Sequence, residues 1–484
     1  MDAPVPLIAA ALLAAGAILL PGARGRAWSM LGALVIAPVI LLWHIADSEQ
    51  LDTLTDRPAV AAGAAAVGLA AVGALALLFH RRPVAFPLAA ALALPFRVPI
   101  STGGSTANLL VPLYLVVAAG ALAYAVPRIL GRATPEEHAV GWLERVLGLT
   151  VLLYAVQAIG SSDFDKALEN TVFFFVPFAV LFVLLGRVAW TTRLAVQCLG
   201  VLTALAVVFV GIGFVEYATR HLLLNPKVIA SNQFEEYFRV NSLFFDPNIY
   251  GRFLAVVMLA VTCVLLWTRR ARDFALTAAL LALLWPGLLL TLSQSSFAAL
   301  LVGLAVLGGL RWDPRRAAMA AGGVVVVGVL IVLLAGSAIR LDLGSADSLD
   351  DATSGRVELV EGGLRLFGDA PLLGHGSGSF SREYRRAEDA SGEQAVSASH
   401  TIPVTVAAEQ GVVGLALYLA LLALAFVRLF RAAARDLVRV ALAAAFAAVV
   451  VHTLSYAAFL EDPVTWALLG AGVALARLPR TAAA

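Results

Sequence analysis

The sequence predicts an all-α fold: a polytopic transmembrane helical bundle of about 14–15 spans with one large external loop. Three observations predict it. Of 484 residues, 61% are hydrophobic and only 14% are charged, against about 25% charge in ordinary globular chains. Mean hydropathy is +0.90. Apolar runs near twenty residues recur along the chain, and about 20 is what a helix needs to cross a hydrocarbon core of about 30 Å. Backbone polar groups in lipid must be satisfied within the span, so these runs are helices. The alternating pattern of a β-barrel is absent.

In order, spans are expected near 5–22, 28–45, 59–79, 84–97, 108–127, 143–159, 171–187, 193–215, 249–268, 273–290, 296–310, 317–337, 402–427, 438–459 and 463–477. The segment 84–97 is short, holds Pro87 and Pro95 and ends at Arg97, so it reads as a span or as a re-entrant or broken piece. The chain divides into N-terminal helices (1–192), central helices (193–337) with an external segment at 216–248, a large external loop (338–401) and C-terminal helices (402–484). Met1–Gly22 lacks a basic leading region, so its apolar run reads as a first anchor rather than a cleaved signal peptide. Cys198 and Cys263 both lie in apolar runs, which leaves neither a disulfide framework nor a zinc cluster.

Orientation follows from Lys and Arg in the short connections. Alternate connections hold Arg24 and Arg26, Arg81 and Arg82, Arg128 and Arg132, Arg269, Arg270 and Arg272, Arg311 and Arg315, then Arg428 and Arg431. Those between them carry Asp47, Glu49, Asp163, Asp165, Glu461 and Asp462. The basic set is expected to face the cytoplasm. The N-terminus, the 216–248 segment and the 338–401 loop are then outside. The net charge of +2 is uninformative, because its distribution matters more than its sum.

Polar residues on the external side are the candidates for chemistry. Arg239 precedes Asp246-Pro247-Asn248, a sound helix start at the span beginning with Ile249. Arg239 reads either as a snorkelling anchor on lipid phosphate or as a binding residue. In the long loop, Ser354–Phe367 predicts a helix with one apolar face formed by Val357, Val360, Leu364 and Phe367. Arg356 falls in its first turn, where a cation opposes the helix dipole; it pairs either with an anionic partner or with Asp350 or Asp351. The segment Pro371-Leu372-Leu373-Gly374-His375-Gly376-Ser377-Gly378 lacks a preceding strand and a Walker lysine, so it predicts a tight turn rather than a nucleotide loop.

His400 lies at the start of the next span, in the compartment shared by Arg239 and Arg356. An imidazole can accept a proton near pH 7, and two guanidiniums can hold a diphosphate bidentately. Together they describe transfer from a diphosphate leaving group to a hydroxyl. His375 is the rival base. Asp163-Phe164-Asp165 is an external pair of the kind that can hold a metal, beside Lys166. Thr291-Leu292-Ser293-Gln294-Ser295-Ser296 makes a polar external turn that either lines an acceptor groove or satisfies helix ends. The competing class is a polytopic transporter or lipid-linked glycan flippase, which would place ionisable groups or broken helices at the bilayer midplane. Here His452 is the chief ionisable residue inside an apolar run.

The ordered set of Arg239 with Asp246-Pro247-Asn248, Thr291-Leu292-Ser293-Gln294, Ser354-Gly355-Arg356, Pro371–Gly376, His400 and Glu409-Gln410-Gly411-Val412-Val413-Gly414 resembles the O-antigen ligase and polymerase (Wzy-C type) family of membrane glycosyltransferases, over roughly residues 200–430. The resemblance implies a GT-C-like bundle in the bacterial cytoplasmic (inner) membrane with its site facing the periplasm. It implies metal-independent, inverting transfer of a glycan from an undecaprenyl-diphosphate carrier to lipid A-core or another glycan, with no cofactor and no nucleic acid. His400 would be catalytic, Arg239 and Arg356 would grip the donor diphosphate, and Asn248, His375 and Glu409 would support them. Two positions depart from the family pattern: Gln294 stands where arginine is common, and Thr401 follows His400 where asparagine often does.

Overall fold

The computed structural model describes residues 4–44, 58–102, 105–132, 139–223, 238–312, 356–387, 401–431, 433, 436–456 and 458–477. Helices dominate. In the N-terminal half they are α1 (Pro4–Leu19), α2 (Ala23–His44), α3 (Pro58–Arg81), α4 (Ala85–Ala93), α5 (Val111–Ile129), α6 (Trp142–Gln157), α7 (Phe164–Leu185) and α8 (Thr192–Thr219). Then come α9 (Pro247–Trp267), α10 (Ala271–Leu289) and α11 (Gln294–Arg311), the loop helices α12 (Arg356–Asp369) and α13 (Phe380–Ala387), and finally α14 (Ile402–Phe430), α15 (Leu437–His452) and α16 (Pro463–Arg477). Nine of the described helices are long and apolar enough to cross a bilayer, and α1, α15 and α16 are shorter apolar helices. Every expected span falls on a helix except 317–337, which lies outside the described residues.

The one departure from an all-α chain among the described residues is a two-stranded hairpin, β1 (Val98–Thr102) against β2 (Ser105–Leu109). It follows the doubtful span 84–97, of which only Ala85–Ala93 is helical. Leu94 keeps helical backbone and donates to Ala90, but Pro95 has no N–H to extend the ladder, so α4 stops at Ala93 after nine residues. The chain turns at Phe96, whose ring packs edge-on against Phe209 of α8 at 5.8 Å, and Arg97 follows directly.

Two apolar cores form the bundle. The first gathers α1, α2, α5, α6 and α7 with α14 and α16, and α7 is its axis, with every side chain from Val176 to Leu185 buried. Proline bends that axis. Pro177 has no N–H to give the carbonyl of Phe173, and a π-turn over Thr171–Phe175 absorbs the register change. The freed Phe173 carbonyl accepts the Tyr114 hydroxyl at 2.8 Å, which ties α5 to α7. The second core gathers α8, α9, α10, α11 and α15. One end of the bundle carries the arginine-rich connections; the opposite end carries the 238–246 segment, the α10–α11 turn, α12, α13 and the α15–α16 turn.

Helix α12 confirms the amphipathic helix expected at 354–367 but corrects its face. Leu359, Gly362, Gly363 and Leu366 are buried, while Leu364 is 53% exposed. Two glycines carry no apolar signal in the sequence, yet they let α12 come close. A β-carbon at Gly363 would sit 2.5 Å from Val404, and one at Gly362 would sit 2.3 Å from the Tyr384 ring.

Candidate active site at the arginine-poor end

The segment after α8 folds back over the bundle because a buried carboxylate collects its backbone. Glu216, in the last turn of α8, accepts the amides of Ser242 at 2.8 Å and Leu223 at 3.1 Å. Val240 donates its amide to Leu290 at the end of α10 (3.1 Å). Asp246 then caps α9 by accepting the Asn248 amide at 2.6 Å, and Pro247 supplies the pre-set first-turn backbone.

Arg239 lies on this fold-back, half-buried and turned onto the protein rather than toward lipid. Its Nε donates to the Thr291 carbonyl at 3.1 Å and its Nη2 to Asn248 Oδ1 at 3.3 Å. The same Oδ1 accepts the Ser293 hydroxyl at 2.7 Å. Ser293 caps α11 through the Ser296 amide and lies 2.8 Å from the Ser296 hydroxyl and 3.1 Å from that of Ser295. Ser295 in turn lies 3.1 Å from Nε2 of His452, which has no solvent exposure. A continuous polar chain therefore links Arg239, Asn248, Ser293, Ser295 and His452 through four helix ends. The 291–296 turn satisfies helix termini and also orients Asn248. Gln294 points out, exposed.

Beside this network, an apolar cavity of about 240 Å³ runs between the two cores, walled by α4, α8, α9, α15 and α16. Its lining on α9 extends from Ile249 to Val264, about 22 Å along the helix axis. The wall is apolar apart from a few groups, and Arg97, Arg252 and Asp462 stand together at the arginine-poor end. Arg252 and Asp462 form a buried ion pair, and Arg252 also donates to the Ala458 carbonyl at 3.3 Å. Sequence reasoning missed Arg252, Arg97 and the cavity. The available signal was an arginine one turn inside an apolar run, which asks for a partner.

The glycine segment and the Glu409-Gln410-Gly411 segment interlock. Helix α14 breaks at Gly411, whose φ of 65° and ψ of −163° are open to glycine and strained for other residues. Into the break comes the 371–378 turn: Val412 donates to the Pro371 carbonyl at 2.8 Å, His375 to Ala408 at 3.0 Å and Gly376 to Glu409 at 2.8 Å. The Glu409 carboxylate accepts the Gly378 amide at 2.8 Å and the Phe380 amide at 3.2 Å, at the start of α13. Gln410 donates to Ser377 at 3.2 Å, and Gln157 of α6 clamps the carbonyls of Leu373 and Gln410. Gly374, at φ 68°, approaches so closely that a β-carbon there would lie 2.3 Å from the Glu409 carbonyl. The long loop is thus fastened to the bundle by backbone.

Gly374→Ala is expected to loosen this fastening by about 2 kcal/mol or more, from strain at positive φ plus the clash. The check is trypsin cleavage after Arg382, Arg385 and Arg386 of α13, which should quicken, together with a lower melting temperature. Gly368→Ala, with open space around it, should change neither.

The remaining candidates separate. Glu409 is a structural clamp. His375 is partly buried and lies 3.0 Å, through Nε2, from the Leu366 carbonyl, so its ring is committed within the loop. Asp163 caps α7 by accepting the Lys166 amide at 3.3 Å, and no group of three metal-ligating side chains occurs among the described residues. Arg356 begins α12, but its side chain, Asp350, Asp351 and His400 lie outside the described residues. Thr401, next to His400, is described: its hydroxyl donates to the Leu454 carbonyl at 3.0 Å, and the Ile402 amide donates to Thr453 at 3.2 Å. Those partners directly follow His452.

Comparison with protein-family models adds a match over residues 278–419, to the family Wzy_C, described as O-Antigen ligase. This segment carries an O-antigen ligase family domain. Together with the apolar helices around it, this match supports an O-antigen ligase-like membrane glycosyltransferase. The matched segment runs from within α10 to within α14, so it includes the serine turn and the interlocked glycine loop of the O-antigen ligase domain. Arg239, Asn248, His452 and all the residues that line the cavity come from outside it. No protein in a search of curated sequences matches the chain.

Proposed function

We propose that the protein transfers a glycan from an undecaprenyl-diphosphate carrier to an acceptor hydroxyl at the periplasmic face of the bacterial inner membrane, with inversion and without metal. One juxtaposition carries this reading. A guanidinium held by Asn248 and Thr291 stands one residue from Ile249, which lines an apolar groove running most of the bundle's length. A donor that is a diphosphate on a long isoprenoid needs that combination of a cation and a greasy slot.

In the proposed step, the acceptor oxygen attacks the anomeric carbon while the bond from that carbon to the diphosphate oxygen breaks. The electron pair leaves with the diphosphate, which remains on its lipid. His400 takes the acceptor proton. Arg239 and Arg356 stabilise the charge that develops on the leaving group, in a site poor in water. Lipid A-core or a second carrier-linked glycan is the acceptor.

Helix geometry supports the convergence of these three groups. Gly363 packs on Val404, and Leu366 clusters with Ala408, so α12 runs alongside the first turns of α14 in the same direction. Arg356 begins α12 seven residues before Gly363, about 10 Å further toward the start of α14. His400 is one peptide, about 3.8 Å between α-carbons, from Thr401. Thr401 is pinned beside the residues that follow His452, where the Arg239 network ends.

Purified protein given a carrier-linked glycan and candidate acceptors should release undecaprenyl diphosphate stoichiometrically with product. Absence of release with every acceptor would defeat the reading. Because guanidiniums neutralise the leaving group, EDTA is expected to change the rate less than twofold. Strong inhibition relieved by a divalent cation would return Asp163 and Asp165 to consideration.

A further inference from the structure

Arg97 was visible in the sequence only as the end of a doubtful span. In the fold it occupies a specific place: the arginine-poor end of the groove, facing Arg252 and Asp462. Asp462 is the carboxylate that acts on it most strongly, and Asp462 is already ion-paired with Arg252. Tyr456 adds no negative charge, because burial pushes its hydroxyl well above the usual phenol range. Two guanidiniums thus draw on the same carboxylate in the wall of an apolar slot. An uncompensated cation in such surroundings is costly, and it becomes favourable when an anion completes the set.

The backbone is built to hold Arg97 there. Pro95 stops α4, the Phe96 ring is seated on Phe209, and the 98–109 hairpin leads away, which fixes the one residue between them. Asn248, which holds Arg239, and Arg252, which faces Arg97, are four residues apart on α9. They lie on one face, about 6 Å apart along the axis. Arg239 and Arg97 thus attend neighbouring turns of α9, and Arg97 lines the groove.

We infer that Arg97 is a third cationic contact for a lipid-linked diphosphate, beside Arg239 and Arg356, binding the phosphate nearest the isoprenoid where its tail enters the groove. The inference deepens the proposed transferase reading, naming a tail-side phosphate contact outside the matched family segment. Arg252 stays ion-paired and buttresses Arg97 by occupying Asp462. An arginine at this point selects a charged head group over the neutral alcohol of the same chain length.

The test uses the full-length protein in nanodiscs and measures binding of undecaprenyl diphosphate, undecaprenol, inorganic diphosphate and phosphatidylglycerol. Arg97→Ala is expected to weaken undecaprenyl diphosphate about ten- to a hundredfold, as loss of a charge-assisted contact should, and to leave undecaprenol within twofold. Arg97→Lys should recover only part of the loss, because an ammonium lacks the planar fork. Ala260→Trp, which fills the groove wall, should weaken both isoprenoids together. An unchanged melting temperature of ligand-free Arg97→Gln separates binding from misfolding.

Undecaprenyl diphosphate bound equally well by Arg97→Ala would overturn the inference, as would an equal loss of the neutral alcohol. Arg97-dependent binding of phosphatidylglycerol or of inorganic diphosphate at similar affinity would also overturn it, by showing a general anion site. If Arg97 governs binding but no glycan is transferred, the transferase reading falls and the lipid-diphosphate site stands. If transfer depends on Arg239 while Arg97→Ala binds normally, the reverse holds.

Discussion

His400→Ala is expected to lower glycan transfer about a thousandfold, within the range for loss of a positioned general base, while insertion and donor binding stay intact. The neighbours of His400 in the chain motivate it. Thr401 and Ile402 bond to Leu454 and Thr453, and this pair follows His452, the buried end of the polar chain that begins at Arg239. The measurement is single-turnover release of undecaprenyl diphosphate at saturating acceptor, across pH. Wild-type rates should rise with pH as the imidazole loses its proton and then level off, and the variant should lose that dependence. His375→Ala should retain most activity, because that ring lies against the Leu366 carbonyl.

Arg239→Lys is expected to cut the transfer rate about a hundredfold, comparable to losing one donor to a developing charge. Lysine keeps the charge but cannot reach the Thr291 carbonyl and Asn248 Oδ1 while also presenting paired donors to a diphosphate. Asn248→Asp offers a sharper comparison. It leaves shape and charge attraction to Arg239, yet a carboxylate there would neutralise the guanidinium, so donor affinity should fall although the arginine remains. If both variants transfer at wild-type rates, Arg239 is an anchor and takes no part in donor binding.

The fold was legible because lipid imposes a coarse code. Twenty apolar residues and flanking arginines suffice to mark a span, and the shortening at 84–97 was marked by its own prolines. Arg239 and the serine turn were legible as candidates, since polar residues at span ends stand out. What binds them together was not. The chain from Arg239 to His452 joins segments distant in sequence by side-chain contacts that leave no local pattern. The groove is likewise assembled from five helices.

The wrong face assigned to α12 has a different origin. Periodicity counts large apolar side chains, but Gly362 and Gly363 pack closest because they have none. The break in α14 was hidden for a similar reason: Gly411 interrupts an apolar run without changing its hydropathy, and only the incoming 371–378 turn reveals it. Arg97 was read only as the end of a doubtful span and Arg252 was not singled out, although burial of one beside Asp462 forces the question of what balances the other.

The most direct measurement is an experimental structure of the full-length protein with undecaprenyl diphosphate bound. The mechanism predicts that the guanidiniums of Arg239 and Arg356 both contact the diphosphate, with the tail in the α9 groove and the His400 imidazole facing the anomeric position. A diphosphate seated away from Arg239, or His400 packed into a region that the sugar cannot reach, would contradict it.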